Sequence, residues 1–535
     1  MKKILSAILL FFAINASAQV PEIIWQQCYG TATRDVAFGI APAEDGYMLA
    51  VEVESGEGLT NYHGLDDIWI VNIDSTGAIL WEKCFGGSGY DTPRKIISIG
   101  NNEFYVLGGT GSTDGDVQSY NQGNGDLWVV KINGEGDLLW EKCYGSWGTE
   151  EPRDMILTAD GGFALLARIS ASGGDISNYY GSYDNWVVKC DSLGNIEWEI
   201  TLGNNGLDNG ISLMINSAGN IMMIGAAQKY GGLVECYPDG VWADVWIVEL
   251  DLQGNILTQY CYGGSHYDLG NNLIELEDGF AFVAFTHSND GDVSGLHGPS
   301  AAPPDGWSDI WMVRLNEQME IIWQKCLGGY RTEGPNFITR IEDGGFLVVG
   351  MTTSNDGDVS GNHSYPGTHT DIWVVKLNEN GDIEWQRCYG GFSSQRLENP
   401  HTILKKSDYN YVIAASTKGS PTYDVQCGTF EGYNAWIFEI ALPDTVGVIT
   451  ATASANEIKV YPNPADDYLV FENNVALSAN NYQIQIMNIF GQVISTLEMN
   501  NSKTVLETQD FAPGIYFYRI SKQSETLQSG KWVKR

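Results

Sequence analysis

Two tryptophan motifs repeat along the 535-residue chain and constrain its fold more than any other feature. The first reads Asp-x-Trp or Asn-x-Trp, and its tryptophans are Trp69, Trp128, Trp186, Trp246, Trp311, Trp373 and Trp436. The second resembles Trp-Glu-Lys-Cys-Phe-Gly and begins at Trp25, Trp81, Trp140, Trp198, Thr258, Trp323 and Trp385. In five repeats the two tryptophans lie 12 residues apart. A period of roughly 60 residues with a fixed internal offset predicts a repeat architecture.

Each repeat contains the signals of two β-hairpins. The two motifs flank a turn such as Asn378-Glu379-Asn380-Gly381, and a second turn precedes them, as at Asp343-Gly344. Short apolar runs on either side of such turns are typical of hairpins, and a fixed offset preserves their register. We therefore predict four strands per repeat and an all-β fold, a seven-bladed β-propeller over residues 20–442.

The two ends of the repeat array complement each other. The array opens with a lone second motif, Ile23-Ile24-Trp25-Gln26-Gln27-Cys28-Tyr29, and closes with a lone first motif around Trp436. An open solenoid needs polar caps instead. We predict that the N-terminal strand becomes the outer strand of the last blade and closes the ring.

Composition and the N-terminus indicate an exported protein. Lys2 and Lys3, an apolar run from Ile4 to Ile14 and the small residues before position 19 predict a signal peptide over residues 1–18. With 29 basic and 67 acidic residues the net charge is −38. Such a surface repels nucleic acid and anionic lipid, so neither is an expected partner.

The nine cysteines follow the repeat. Six of them, at positions 28, 84, 143, 261, 326 and 388, share one repeat position. Equivalent positions in different blades are too far apart for a disulfide, so we predict that these cysteines pack as small buried hydrophobic residues. Cys236 and Cys427 lie in long loops of blades that are not neighbours, and we expect no bond between them.

A second module follows the repeats. Residues 443–456 are small and polar and are interpreted as a linker. From residue 457 to 535 the repeat motifs stop, and alternating runs such as Tyr482-Gln483-Ile484-Gln485-Ile486 predict a small immunoglobulin-like antiparallel β-sandwich. This module also carries four short motifs in order, which are Tyr461-Pro462-Asn463-Pro464, Gly491-Gln492, Pro513-Gly514-Ile515-Tyr516 and the basic end Lys531-Trp532-Val533-Lys534-Arg535.

These four motifs resemble the type A C-terminal sorting domain of the type IX secretion system. One departure is Phe511, where Leu is commoner before the Ala-Pro-Gly turn. The resemblance implies export through the periplasm and across the outer membrane, with the secretion translocon and its C-terminal signal peptidase as partners. It also implies that the tail is removed and that the cargo is released or joined to surface lipopolysaccharide. The expected location is therefore secreted or cell surface.

Three loops carry a candidate calcium motif. Each reads Ser-x-Asp-Gly-Asp-Val, and the carboxylates concerned are Asp114, Asp116, Asp290, Asp292, Asp356 and Asp358. Calcium prefers clustered carboxylates, but the spacing does not fit an EF-hand. The alternative is a tight turn whose Asp side chains accept backbone N–H groups, and this alternative is favoured. Calcium is the only cofactor that the sequence suggests.

A second candidate site comes from arginines that recur after the Cys-x-Gly motif. They are Arg34, Arg94, Arg153, Arg331 and Arg396. In an acidic protein they are candidates for lining a pocket for an anionic ligand. The alternative is that each pairs with a nearby acid and braces a loop.

The sequence leaves three functions open. No HExxH, GxSxG or phosphate-binding glycine motif is present. We therefore favour an exported binding protein with an unidentified extracellular ligand and assign no catalytic residue. The alternatives are a polysaccharide- or peptide-degrading propeller enzyme with its site at the central channel, and a purely structural surface protein.

Overall fold

A computed structural model describes residues 20–31, 33–56, 58–119, 123–228, 231–235, 242–299, 307–363, 369–391, 399–407, 409–418, 421–427, 432–442, 458–461, 467–473, 482–488, 493–499, 503–509, 511–512, 514–522 and 525–534. The chain divides into two compact units, Met1–Pro443 and Asp444–Arg535. The predicted signal peptide and linker lie outside the described residues. None of the described residues forms a helix long and apolar enough to cross a bilayer.

The first unit consists of seven four-stranded antiparallel sheets. The strands of the early blades are β1 (Ile23–Tyr29), β2 (Asp35–Pro42), β3 (Gly46–Val53), β4 (Asp67–Asp74), β5 (Ile79–Phe85), β6 (Asp91–Ser98), β7 (Glu103–Thr110), β8 (Asp126–Asn133), β9 (Leu138–Tyr144), β10 (Glu150–Leu157), β11 (Phe163–Ile169), β12 (Asp184–Cys190) and β13 (Ile196–Leu202). Those of the later blades are β14 (Asp208–Ile215), β15 (Ile221–Gln228), β16 (Ala243–Leu250), β17 (Ile256–Tyr262), β18 (Asp268–Leu276), β19 (Gly279–Thr286), β20 (Asp309–Leu315), β21 (Ile321–Leu327), β22 (Glu333–Arg340), β23 (Phe346–Thr352), β24 (Asp371–Leu377), β25 (Ile383–Tyr389), β26 (Asn399–Lys405), β27 (Asn410–Lys418) and β28 (Tyr433–Ala441).

The blades form a closed ring, which confirms the predicted propeller. The first strand of each sheet contacts the first strand of the next, from β2 through β6, β10, β14, β18 and β22 to β26, and β26 contacts β2. These seven inner strands therefore surround the central axis. The apolar cores lie between neighbouring blades, and one of them joins β3 and β4 of the first blade to β27 and β28 of the last.

The N-terminal strand closes the ring, as the lone motif predicted. The last sheet has the order β1-β28-β27-β26, with β1 antiparallel to β28. In six blades the buried Trp of the third strand donates its Nε1–H to the Glu or Gln 13 residues later, for example Trp69 to Glu82 at 2.8 Å. In the last blade Trp436 finds its acceptor on Gln26, at 3.1 Å and 410 residues away.

The second unit has two sheets around one core, as the alternating pattern predicted. Its strands are β29 (Ile458–Tyr461), β30 (Tyr468–Asn473), β31 (Tyr482–Met487), β32 (Val493–Met499), β33 (Lys503–Glu507), β34 (Gly514–Lys522) and β35 (Glu525–Lys534). One sheet has the order β29-β30-β33 and the other β32-β31-β34-β35. Residues of both sheets, including Phe471 and Trp532, share one apolar cluster.

Candidate functional site

All seven inner strands carry a β-bulge at the same register position. The bulged residues are Phe38, Arg94, Arg153, Ile211, Asn271, Asn336 and His401. A bulge adds one residue to a strand and re-aims the side chain it carries. Because the inner strands surround the axis, the bulges place seven different residues at one level of the central channel.

An axial cavity of about 310 Å³ lies at this level of the channel. Its lining residues are Tyr267, Leu269, Asn271, Phe285, Gly334, Pro335, Asn336, Met351, Asn399, Pro400 and His401. They come from the starts of the inner strands and the ends of the second strands. Loops that link blades and the long loops between second and third strands lie at those strand ends. We call this side the long-loop face, and the cavity lies toward it.

Three arginines, Arg94 on β6, Arg153 on β10 and Arg168 on β11, are not among the residues that line this cavity, but their charges act on two residues that are. Arg94 Nε donates a hydrogen bond to the backbone carbonyl of Arg153 at 2.9 Å. Glu151 lies between two guanidiniums, with Arg168 Nη2 at 2.7 Å and Arg153 Nη2 at 3.2 Å. Burial, followed by the charge of Arg168, lowers the pKa of Arg153 to about 10. Glu151 is thus the ion-pair partner of both Arg153 and Arg168, and it makes no ion pair with Arg94.

The charges of these arginines shift the pKa values of two residues that line the cavity. Burial, followed by the charges of Arg94 and Arg34, lowers the pKa of His401 to about 4, so this imidazole is neutral at pH 7. Its ring lies 5.0 Å from that of Phe38. Burial raises the pKa of the Tyr267 phenol, while the charges of Arg153 and Arg168 oppose that shift. The arginines therefore interact electrostatically with His401 and Tyr267 of the cavity wall.

The four predicted arginines that the structure describes lie in different surroundings, and a shared pocket for all five stays a prediction. Arg94 and Arg153 lie at the channel, whereas Arg34 pairs with Glu52 and Glu54. Arg331 lies over the ring of Trp307 at 5.5 Å, and Arg396 lies outside the described residues.

The sequence reasoning missed several residues of this site, notably Arg168, Tyr267 and His401. For His401 the available signal was the bulge position of the inner strand, which changes from blade to blade; Arg168 on β11 and Tyr267 before β18 carry no such signal. The bulge aims the side chain at that position toward the axis.

The Asp-Gly-Asp loops join neighbouring blades. Asp114 Oδ1 accepts the N–H of Ser88 at 2.6 Å, and Asp290 and Asp356 make the same contact with Ser265 and Tyr330 at 2.8 Å. Asp116, Asp292 and Asp358 accept the N–H groups of Gly86, Gly263 and Gly328 at 3.2–3.3 Å. These N–H donors lower the pKa of Asp114 and Asp290. All six side chains therefore accept backbone N–H groups that lie 25–30 residues earlier in the chain, so these contacts join neighbouring blades.

Calcium at these loops remains a prediction. Within the described part of the chain, no group of three or more His, Cys, Asp or Glu side chains is arranged to hold a metal ion.

Histidines reinforce the same junctions. His297 Nδ1 lies 2.6 Å from Asp309 Oδ2 of its own blade, and its Nε2 lies 3.6 Å from Asp358 of the next blade. The hydrogen bond to Asp309 raises the pKa of His297. His63 and His363 make equivalent pairs of contacts. Each histidine thus serves its own junction.

At the blade junctions two acidic side chains place their carboxyl oxygens next to the Cα of a glycine. A Cβ on Gly203 would lie 2.2 Å from Asp184 Oδ1 and 2.8 Å from Asp208 Oδ2, so only glycine leaves room for both carboxyl groups. Burial raises the pKa of Asp184 to about 6. Burial and the charge of Asp184 raise the pKa of Asp208 to about 7. The same arrangement recurs at Gly86, Gly145, Gly263 and Gly328.

The prediction for the repeat-position cysteines was wrong for Cys28 and Cys261. Cys28 on β1 forms a disulfide with Cys427, with a Cα–Cα distance of 5.4 Å. The outer strand contacts the long loop of its own blade, a pairing that the comparison of equivalent positions overlooked. Cys261 is also disulfide-bonded, and Cys236 lies outside the described residues. Cys84, Cys143, Cys190, Cys326 and Cys388 are free.

Several aromatic side chains are exposed on the long-loop face. Trp147 is 71% exposed and Tyr330 is 57% exposed, and both occupy the third position before an inner strand. Tyr90, immediately before β6, is 60% exposed, and Tyr423 in the long loop of the last blade is 62% exposed. Exposed large aromatics at repeated positions are a mark of binding surfaces.

Only part of the predicted sorting motif lies in the described residues. Tyr461 ends β29, Gly514 begins β34, and Lys531 and Lys534 lie on β35. The ring of Tyr516 stacks on that of the buried Trp532 with centroids 5.0 Å apart. The remaining motif residues, which are Pro462, Asn463, Pro464, Gly491, Gln492, Pro513 and Arg535, lie outside the described residues.

The fold and its tail define a seven-bladed β-propeller protein with a C-terminal β-sandwich. Residues 459–535 match the family model described as secretion system C-terminal sorting domain. The chain is therefore an exported cargo of the type IX secretion system, carried across the outer membrane to the cell surface or the medium. The domain implies interaction with the type IX secretion machinery.

Similarity beyond this domain is confined to the fold. No curated protein sequence matches the chain. Hydrazine synthase of Kuenenia stuttgartiensis is 12% identical with a TM-score of 0.42, covering 72% of this chain and 94% of its own. A puromycin hydrolase is 11% identical with a TM-score of 0.43, covering 83% of this chain and 59% of its own. Neither similarity carries information on activity.

Proposed function

We propose that this protein is an exported binding protein that takes a glycan on its long-loop face. The observation that carries the proposal is the set of exposed aromatic rings on the long-loop face, above all Trp147 and Tyr330, which share one repeat position. An aromatic ring offers a flat apolar face and a polar edge. This matches a sugar ring, which has apolar C–H faces and a rim of hydroxyl groups.

The surrounding structure supports a rigid presentation of these rings. The loop of Tyr330 is held by Asp356, which accepts the Tyr330 N–H at 2.8 Å from the next blade. A side chain fixed by its backbone loses little conformational entropy when a ligand binds. The net charge of −38 favours neutral or cationic polymers over anionic ones at this surface. Release or attachment to lipopolysaccharide after export belongs to the same proposal.

A glycan array probed with the full exported chain tests this function. Each stacked ring contributes on the order of 1 kcal/mol, so we expect the double variant Trp147→Ala with Tyr330→Ala to lose at least about tenfold in affinity. Leu193→Ala is the matched control, because Leu193 is 65% exposed on a short turn of the opposite face.

Two results would contradict the proposal. One is equal binding by the double variant and the parent protein. The other is degradation of the bound polymer that is lost on substitution of Arg153, which would identify a propeller enzyme instead.

A further inference from the structure

The central channel contains a second site, separate from the aromatic surface. We propose that the axial cavity binds a small hydroxylated organic carboxylate, with its carboxylate held by the guanidiniums of Arg94 and Arg153. This site does not depend on glycan binding at the long-loop face.

The first argument is unmatched positive charge. Arg94, Arg153 and Arg168 carry three charges, and Glu151 is their one direct ion-pair partner. In the part of the chain that the structure describes, no carboxylate lies within ion-pair distance of Arg94. The charge of Asp154 acts on Arg94, but Asp154 is bound to Lys95 Nζ at 2.5 Å. A chain of net charge −38 thus maintains a local excess of two positive charges at its axis.

The second argument is unused hydrogen-bonding capacity. The Nε atoms of Arg153 and Arg168 are buried and have no hydrogen-bond partner among the described residues. A buried donor without an acceptor is costly, so such atoms need an explanation. Arg94 uses its Nε on the carbonyl of Arg153, which directs its terminal nitrogens elsewhere. Paired guanidinium donors match the planar, two-oxygen geometry of a carboxylate.

The third argument is the rest of the cavity wall. Asn271, Asn336 and Asn399 present amides that both donate and accept hydrogen bonds, which suits hydroxyl groups. Phe285 and Met351 supply apolar surface. The volume of about 310 Å³ lies at the small end of ligand cavities. The wall therefore fits the body of a single acidic sugar better than a bare inorganic anion.

The bulges explain how a repeat protein builds a site that does not repeat. The residue before each bulge is alanine, glycine or proline, as in Pro93 and Pro152. The bulged residue is not tied to the ladder of hydrogen bonds and changes from blade to blade. Seven side chains of five residue types therefore converge on one axis, and two adjacent blades supply the arginines.

Calorimetric titration of the full exported chain with glucuronate tests the site, with glucose and inorganic phosphate as comparison ligands. We expect glucuronate to bind and glucose, which lacks the carboxylate, not to bind. Phosphate should bind more weakly than glucuronate, because it has no hydroxylated ring to contact the amides. Hydrogen bonds between charged groups contribute about 1.5–3 kcal/mol, so Arg94→Gln and Arg153→Gln are each expected to weaken glucuronate at least about tenfold. Arg331→Gln is the matched control and should bind as the parent does, since this guanidinium lies over Trp307.

A second measurement needs no variant. His401 lines the cavity, and the charges of Arg94 and Arg34 help to depress its pKa. A bound carboxylate offsets those charges, so the pKa of His401, followed by NMR, should rise when glucuronate is added. The proposal is overturned if glucuronate does not bind, if glucose or phosphate binds as tightly, if both Arg variants bind normally, or if His401 does not shift.

Discussion

The disulfide between Cys28 and Cys427 closes the ring covalently, and its removal gives a measurable loss of stability. The two cysteines are 399 residues apart, which makes the cross-linked loop nearly the whole propeller. In the chain-entropy treatment a loop of this size removes about 20 cal/mol/K from the unfolded state, or about 6 kcal/mol at 25 °C. Cys427→Ser should lose this contribution and leave the strand pairing of β1 with β28 in place.

The expected change in melting temperature follows from the size of the ring. Over the roughly 420 residues from Ile23 to Ala441, an unfolding entropy of about 2.1 cal/mol/K per residue sums to about 0.9 kcal/mol/K. A loss of about 6 kcal/mol then lowers the melting temperature by about 7 °C.

Differential scanning calorimetry under non-reducing conditions measures this shift. Cys143→Ser is the control, because Cys143 occupies the equivalent strand position in another blade and is free. A Cys427→Ser protein that melts within about 1 °C of the parent would refute the reasoning, because the unfolded chain would then gain no conformational entropy when the cross-link is removed.

Two further predictions concern the blade junctions. The pKa of Asp208 is raised to about 7 in the fold, above about 3.9 in the unfolded chain, so its stabilising protonation is complete below about pH 4 and is lost as the pH rises through 7. Asp208→Asn should therefore resist urea better than the parent at pH 8, and the same advantage at pH 4 would contradict this. Gly115 has a φ of 68°, and a Cβ there would lie 2.3 Å from the carbonyl oxygen of Gly86. Gly100 has a φ of 83° with open space around it, so Gly115→Ala should cost about 1–3 kcal/mol more than Gly100→Ala in urea denaturation, and equal costs would argue against the clash.

The ring and its closure were predictable because they depend on contacts that repeat. A Trp that needs an acceptor 13 residues later appears in every blade, and the orphan motif around Gln26 supplies the acceptor that Trp436 lacks locally. The hairpin turns were predictable for the same reason. Asn378 Oδ1 accepts the N–H groups of Asn380 and Asp382 at 2.9 Å, and Gly381 has a φ of 79°.

The cysteines show where reasoning from equivalent positions stops. Cys28 and Cys84 share a repeat position, yet one is cross-linked and the other is free. For Cys28 the difference lies in the long loop of the last blade, which places Cys427 against β1. The strand residues repeat from blade to blade, whereas the loop residues do not. The contacts of a loop side chain therefore become known only when the loop is placed against its own blade.

The sequence by itself determined the strands, the number of blades, the closing strand and the export domain, because these follow from local periodicity and from short motifs. The tertiary structure alone decided which side chains meet at the axis. Arg94 and Arg153 are 59 residues apart in the chain, and His401 lies on the last blade. They come together because each inner strand bulges at the same point and the ring brings all seven bulges to one level, a geometry that no single repeat contains.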